Sequence, residues 1–125
     1  IEARMLYIQN QNVIYPIQCA KVSHILASNR SMEVCLNNGG KYPVRYVTLQ
    51  QLLEAADVWY FLQCSRSGII NANYVRNIDY TNRVITMCNS DQIAIGSTYV
   101  RSLHEQFPTM QELWQRRQNR CMFFE

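Results

Sequence analysis

Short apolar runs rich in Val, Ile and Tyr alternate with small polar turns along most of this chain. Runs of about four to eight such residues, bounded by Asn, Gly and Ser, are typical of β-strands joined by tight turns. The strongest turn signal is Asn37-Asn38-Gly39-Gly40, and Asn10-Gln11 predicts the turn of a first hairpin. The pattern predicts strands at residues 4–9, 12–17, 21–27, 32–36, 41–47, 60–64, 75–79, 83–88 and 91–95.

Two helices are predicted between and after these strands. Thr48 and Gln51 have the spacing of a capping box, in which each side chain accepts a hydrogen bond from the other residue's backbone N–H. A helix is therefore expected to begin after Thr48. Ser97 is in position to cap a second helix that runs to Phe107, where Pro108 stops it.

A third helix is predicted at the end of the chain. Thr109 and Glu112 repeat the capping-box spacing, and Met110, Leu113 and Trp114 share one face of the helix that follows. The chain is thus predicted to be mainly β with short helices, with about nine or ten short strands and a C-terminal helix.

Composition fits a single globular domain. The chain has 125 residues, of which 48% are hydrophobic and 17% charged, and this balance excludes a disordered chain. The net charge of +3 permits a nucleic-acid partner without requiring one. No apolar run has the length of a membrane span and no signal peptide is visible, so no membrane partner is expected.

Five cysteines stand at positions 19, 35, 64, 88 and 121, without any C-x-x-C pair. An odd count without paired spacing argues against a disulfide framework or a zinc site, and reduced thiols predict a cytoplasmic protein. Because the chain starts at Ile1 and not at Met, we expect a further segment ahead of it.

Catalytic and metal-binding arrangements are not evident in the sequence. Paired carboxylates, nucleophile–base sets and phosphate-binding glycine loops are all missing, which predicts a protein that is not an enzyme and has no cofactor. His24 and His104 lack companions at metal-ligand spacing and are expected to be core or surface residues. Cys64 is close to Arg66, and a cation lowers a thiol pKa, but a buried strand cysteine is the expected alternative.

The segment Phe61–Asp79 carries the most specific signal in the chain. It enters through apolar residues, passes through the polar turn Cys64-Ser65-Arg66-Ser67-Gly68, and leaves through Ile69 and Ile70. An arginine between two serines can present a planar fork of donors to guanine or to a phosphate. From the residues alone, a solvated loop cation or a structural ion pair remains an open alternative for Arg66.

Segment 61–79 resembles the LytTR DNA-binding domain of bacterial response regulators, whose pattern is roughly F-x-R-x-H-R-S-x-x-V-N and then a run ending near I-D. Segment 13–25 resembles the family's I-P-L-x-x-I-x-x-I stretch, and segment 44–54 its V-R-x-T-L-x-x-L-E stretch. A strand-turn-strand at 83–95, leading to a helix at Tyr99, completes the resemblance, which covers about residues 4–106. It implies an elongated LytTR-like β-fold at residues 1–107, followed by a C-terminal helical extension at 108–125.

The resemblance also implies three DNA-contacting loops that enter successive major grooves. The first contains Asn29 and Arg30, and Arg30 stands where the family usually has Asn or His. In the second loop, Arg66 corresponds to a base- or backbone-contacting position and Ser67 to a phosphate-binding serine. For Arg30, as for Arg66, a solvated loop cation or a structural ion pair is the alternative.

This sequence also departs from the family pattern in the second and third loops. Gln63 and Ser65 stand where the second loop usually has Arg and His. The third loop usually reads S-R-R-Y, and Ser97 and Thr98 occupy its two arginine positions. The third loop is therefore expected to read DNA weakly, to read a different site, or to contact only the backbone through its hydroxyl groups.

Other basic residues are candidates for phosphate contacts, which orient a protein on DNA without specifying sequence. An ordinary outward-facing charge is the alternative for each of these residues: Lys41, Arg45, Arg76 and Arg101. Arg116, Arg117 and Arg120 lie beyond the family pattern, and a solvated helix face is favoured over a contact with flanking phosphate.

The predicted function is that of a sequence-specific DNA-binding output domain of a bacterial transcriptional regulator. The family's usual arrangement implies a receiver domain ahead of this chain, and a homodimer bound to direct repeats in double-stranded DNA. The alternative is a β-rich protein-interaction or regulatory module that has kept the fold and lost DNA reading.

Overall fold

A computed structural model describes residues 4–29 and 31–124, with side chains up to residue 119. This part of the chain forms ten strands in three antiparallel sheets. The strands are β1 (Met5–Asn10), β2 (Val13–Gln18), β3 (Val22–Ser28), β4 (Ser31–Leu36), β5 (Lys41–Val44), β6 (Phe61–Ser65), β7 (Gly68–Asn71), β8 (Val75–Asp79), β9 (Val84–Met87) and β10 (Gln92–Ala94). The helices are α1 (Leu49–Ala56), α2 (Val100–Gln106) and α3 (Met110–Phe124). The prediction of a mainly β protein with short helices is confirmed.

Strands β1 and β2 form the predicted hairpin, in register from Met5 opposite Gln18 to Asn10 opposite Val13. The turn lies one residue later than predicted. Gln11 occupies its left-handed position, with φ of 56°.

A five-stranded sheet in the order β5-β4-β3-β7-β6 is the centre of the fold. Strand β7 lies in the apolar segment after the Arg66 turn and is absent from the predicted strands. It is buried on both faces: Ile69 packs into a core with the β1–β2 hairpin and α1, and Ile70 packs into a second core with the third sheet and α2. A strand covered on both faces lacks the alternation that marks a half-exposed strand.

The three-stranded sheet, in the order β10-β9-β8, covers the other face of the central sheet. Ile85, Met87 and Ile93 from this sheet pack with Cys64 and with Leu103 of α2. The central sheet therefore lies between two apolar cores. Because both faces are covered, its loops reach solvent at the ends of the strands.

Helix α1 begins at the predicted capping box. The Gln51 backbone N–H donates to Thr48 Oγ1 at 3.1 Å, and the Thr48 backbone N–H donates to Gln51 Oε1 at 3.0 Å. Leu49, Leu52 and Ala56 are buried on the inner face of this helix. The helix ends at Asp57 in a left-handed conformation, with φ of 48°.

The predicted cap at Ser97 is wrong. The chain is already helical at this residue, because a 3₁₀ turn covers Ser97–Tyr99 and α2 continues from Val100. Gly96 holds the cap position, and the Tyr99 backbone N–H donates to its carbonyl oxygen at 2.9 Å. Ser97 thus lies inside the turn with its side chain exposed, and makes no capping hydrogen bond.

Helix α3 begins at Thr109, whose Oγ1 accepts from the Glu112 backbone N–H at 3.2 Å, so half of the predicted capping box forms. The Glu112 carboxylate lies 2.9 Å from His104 Nδ1 and does not close the box on the Thr109 backbone. Arg116 donates at 3.4 Å to the carbonyl oxygens of His104 and Glu105 at the end of α2. Such carbonyls lack partners within their own helix, so Arg116 has a structural role.

The apolar face of α3 is exposed. Met110, Leu113 and Trp114 retain 81%, 38% and 61% of their accessible surface. The shared face predicted from the sequence therefore does not contribute to either core. The side chain of Arg120 lies outside the described residues, and Arg117 is exposed.

Candidate nucleic-acid interface

Three chain segments from different parts of the sequence meet at one end of the central sheet. The β3–β4 turn lies there because Ser28 pairs with Ser31. The end of β5 lies beside this turn, since Val44 is opposite Met32. The β6–β7 turn joins the other side, where the Ala27 backbone N–H donates to the Ser67 carbonyl oxygen at 2.8 Å.

The predicted third loop lies next to the β6–β7 turn. The Gly96 backbone N–H donates to the Cys64 carbonyl oxygen at 2.8 Å. A Cβ atom at Gly96 would lie 3.4 Å from the Cα of Ser65 and 3.0 Å from the Tyr99 ring, so glycine permits this close approach. We call the assembled end, comprising residues 28–29, 31, 44–48, 65–68 and 96–99, the loop surface.

A depression of about 550 Å³ with both polar and apolar lining residues opens in the loop surface. Arg45 and Arg66 both line it, together with the hydroxyl-bearing residues Ser28, Ser31 and Thr48 and the amide of Asn29. Guanidinium and hydroxyl groups are donors to phosphate oxygens and to base edges. The polar part of the depression can therefore donate hydrogen bonds to an anionic, oxygen-rich ligand.

The second loop is a two-residue turn, Arg66-Ser67, with both side chains exposed. The Ser67 backbone N–H donates to Ser65 Oγ at 3.2 Å, and Gln63 Nε2 donates to the Ser65 carbonyl oxygen at 3.0 Å. Gln63 and Ser65, which replace the family's Arg and His, therefore stabilise the turn from within and leave Arg66 to face outwards.

Arg66 and Arg45 do not take part in ion pairs within the part of the chain that the structure describes. Both side chains are exposed at the loop surface. The alternative of a structural ion pair is therefore not supported for Arg66. Two adjacent cations without acidic partners favour the approach of an anion.

Arg45 does not lie on a strand, contrary to the prediction of a strand over residues 41–47. Strand β5 ends at Val44, because Tyr46 takes a left-handed conformation with φ of 68° that an extended strand cannot include. Arg45 is thus a loop residue between the end of β5 and the cap of α1.

Most of the other predicted contact residues lie on or next to the loop surface. Asn29, Ser97 and Thr98 are exposed on the loop surface, and Arg101 is exposed in the first turn of α2, directly after the third loop. Arg30 lies outside the described residues.

Lys41 and Arg76 lie away from the loop surface. Lys41 is at the opposite end of β5, with its Nζ 4.0 Å from Glu33 Oε1. Arg76 lies at the end of β8 remote from the third loop and donates to the Cys88 carbonyl oxygen at 2.7 Å. Their phosphate contacts stay predictions, because neither residue belongs to the loop surface.

Sequence reasoning did not identify Tyr46 and Thr48 as residues of the loop surface. The capping-box spacing predicted that a helix begins after Thr48, but it gave no indication that Thr48 also lines the depression. Tyr46 has no signal of its own in the sequence.

Two buried ionisable side chains, Cys64 and His24, have pKa values that are shifted by burial. Burial raises the pKa of the Cys64 thiol to about 11, so the thiol is protonated at neutral pH and the reactive reading of this cysteine is not supported. Burial also lowers the pKa of His24, although Asp91 Oδ2 lies 3.6 Å from its Nε2 and opposes the shift. Among the described residues, no cluster of His, Cys, Asp or Glu could hold a metal ion.

Helices in the described residues are too short or too polar to span a membrane. The cysteines at positions 19, 35, 64 and 88 are free thiols.

Comparison with known proteins agrees with the fold. The family model of the LytTr DNA-binding domain matches residues 12–108. Among solved structures, the LytTr DNA-binding domain of a response regulator from Bacillus cereus has a similar fold, with a TM-score of 0.70 and 18% sequence identity over 86% of this chain and 99% of that one. At this identity the likeness shows the fold. A search of curated proteins gives no match.

Proposed function

The chain belongs to the LytTR family of DNA-binding domains, and on that premise we propose that it is the sequence-specific DNA-binding output domain of a bacterial transcriptional regulator. Its loops enter successive major grooves from the loop surface. The observation that carries this proposal is the convergence of Arg45, Arg66 and the hydroxyl groups around one depression at the end of the central sheet.

Arg66 is the principal base-reading residue in this proposal. It is exposed at the tip of a tight turn whose backbone is held by hydrogen bonds from both Gln63 and Ser67. A guanidinium on a rigid support loses little conformational entropy when it pairs with O6 and N7 of guanine. Ser67, on the same turn, contacts the neighbouring phosphate.

The third loop contributes backbone contacts. Ser97 and Thr98 are exposed hydroxyl residues at positions where the family pattern has arginines. Neutral hydroxyl groups donate to phosphate oxygens but cannot form the bidentate pair with guanine that an arginine forms. Discrimination between sequences therefore depends mostly on the first and second loops, including Asn29 and Arg30.

The wider assembly follows the family's usual arrangement. We propose that a receiver domain precedes this chain in a two-component system, and that two copies bind direct repeats in double-stranded DNA as a homodimer. The free thiols support a cytoplasmic location.

Selection of bound duplexes from a random pool tests the proposal. A sequence-reading domain enriches a common motif with guanine at a fixed position, and for a dimer the motif recurs as a direct repeat. Recovery of duplexes without any shared motif would contradict sequence-specific binding.

Ser67→Ala is expected to weaken binding to the selected duplex and to a mixed-sequence duplex by the same factor, about two- to tenfold. The lost hydroxyl is a neutral donor to phosphate, and such a hydrogen bond contributes about 0.5–1.5 kcal/mol. Equilibrium titrations of both duplexes measure the two factors. A loss confined to the selected duplex would refute the phosphate assignment.

An interaction module that has lost DNA reading is the second candidate. An apolar groove of about 450 Å³ between β1, the β5–α1 loop and α1 favours it, because the exposed side chains of Tyr7, Tyr46 and Val47 line this groove above the buried core. The dependence of duplex binding on salt distinguishes the two candidates.

A further inference from the structure

Tyr46 is the most exposed large apolar or aromatic side chain recorded in the described residues, with 84% of its accessible surface free. It lies on the loop surface directly after Arg45, where it lines both the depression that Arg66 lines and the apolar groove beside β1. Exposure of this degree leaves its ring without a partner in the fold. A solvated aromatic residue beside two cations at a candidate DNA interface requires an explanation.

The outward position of Tyr46 follows from the length of its loop. Two residues, Tyr46 and Val47, separate Arg45 from Thr48, whereas the V-R-x-T-L pattern has one residue there. Pairing of Val44 with Met32 fixes one side of the loop, and the capping box at Thr48 fixes the other. The additional residue is accommodated by a left-handed turn at Tyr46, with φ of 68°, which directs the side chain away from the sheet.

This conformation is unfavourable for a bulky L-residue. A side chain with a Cβ atom is strained in the left-handed region, and glycine or asparagine is the usual solution there. Strained backbone of this kind is concentrated at ligand-contacting positions. The left-handed turn leaves the Tyr46 ring exposed on the outer side of the loop, where a ligand can reach it.

The flanking residues indicate which part of a duplex the ring would meet. Tyr46 belongs to the β5–α1 loop, beside the edge strand of the central sheet, so it lies at the outer side of the loop surface. The second and third loops lie on the other side of the β3–β4 turn. A residue at this outer position would face the sugar–phosphate backbone that flanks the groove entered by the inner loops.

We propose that Tyr46 is a further DNA-contacting residue: its hydroxyl donates to a backbone phosphate and its ring packs on the adjoining deoxyribose, next to the phosphate bound by Arg45. Tyrosine suits this contact because it has an apolar ring and a polar tip. The inference rests on the proposed function, and it adds a contact that compensates in affinity for the arginines replaced by Ser97 and Thr98.

Four variants test this contact in titrations with the selected duplex and with a mixed-sequence duplex, at one fixed low salt concentration. Tyr46→Ala is expected to lose about three- to tenfold in affinity for both, as for a lost phosphate hydrogen bond and its packing. Tyr46→Phe keeps the ring and is expected to lose less. Tyr46→Gly is expected to match the Ala variant in affinity, with a thermal unfolding midpoint no lower than that of the Ala variant, because glycine tolerates the left-handed conformation.

Trp59→Ala is the matched control. Trp59 is also an exposed aromatic residue, with 70% of its surface accessible, but it precedes β6 at the end remote from Arg66. Its affinity for both duplexes is expected to be that of the wild type.

The outcomes separate the inference from the proposed function. If the wild type binds DNA and Tyr46→Ala binds with the same affinity, the inference is overturned and the proposed function is not. A loss confined to the selected duplex, or an equal loss in Trp59→Ala, would also overturn the inference, and an equal loss in Tyr46→Phe would overturn the ring packing. A wild-type protein that binds neither duplex would overturn the proposed function, and the inference with it.

Discussion

Arg66→Ala is expected to abolish the preference for the selected duplex over a mixed-sequence duplex and to leave the fold intact. Each bidentate arginine–guanine pair contributes about 1–3 kcal/mol of discrimination against the wrong base. The side chain is exposed at the tip of a two-residue turn, so its truncation removes no core packing. The turn itself is held by Gln63 and Ser65, which the substitution does not alter.

The measurement is the ratio of the two binding constants, together with the circular dichroism spectrum of the variant. Arg4→Ala is the matched control, because Arg4 is also an exposed arginine but lies just before β1, with its guanidinium 3.5 Å from Asp57. The Cys19 backbone N–H bonds to the Arg4 carbonyl oxygen, which places Arg4 at the end of the fold opposite to the loop surface. An Arg66→Ala protein with wild-type site preference would remove Arg66 from its assigned role.

Asn71→Ala is expected to produce the largest loss of stability among these substitutions. Asn71 is fully buried, and its Nδ2 donates to the Val22 carbonyl oxygen at 2.8 Å while its Oδ1 accepts from the Asn73 backbone N–H at 2.9 Å. Alanine leaves both backbone groups without this partner. The unsatisfied buried Val22 carbonyl costs about 1–3 kcal/mol and the lost, part-buried hydrogen bond from Asn73 about 0.5–1.5 kcal/mol, so the free energy of unfolding is expected to fall by about 1.5–4.5 kcal/mol.

Denaturant unfolding of the wild type and of two variants measures this loss. Asn73→Ala is the control, since Asn73 is exposed and contributes only its backbone N–H to the interaction. Asn71 lies at the end of β7 remote from the Arg66 turn. Folded Asn71→Ala protein should therefore keep its site preference. An unfolding free energy within about 0.5 kcal/mol of the wild-type value, as for ordinary surface substitutions, would contradict the assigned role.

Most elements could be predicted from the sequence because their signals are local. The Thr48–Gln51 box and the first hairpin depend on residues close together in the chain, and both form. Strand β7 was harder to recognise, because Ile69 and Ile70 are both buried and give no alternation. Its existence depends on cover from two cores that are built by distant segments.

The candidate site could be predicted only in part. The resemblance identified Arg66 and Ser67, but their meeting with Arg45 depends on strand register, which the sequence does not specify. Register also determines that Lys41 lies at the far end of β5. The cap predicted at Ser97 was wrong because a 3₁₀ turn that begins after Gly96 competes with a regular helix start.

The dependence of duplex binding on salt tests most directly whether the loop surface binds DNA. In a titration of the mixed-sequence duplex, the logarithm of the wild-type binding constant is expected to fall linearly with the logarithm of salt concentration, by about one unit of slope per phosphate contact. Arg45→Ala is expected to reduce that slope by about one unit. A wild-type protein that binds no duplex, or whose binding constant does not change with salt, would contradict the account.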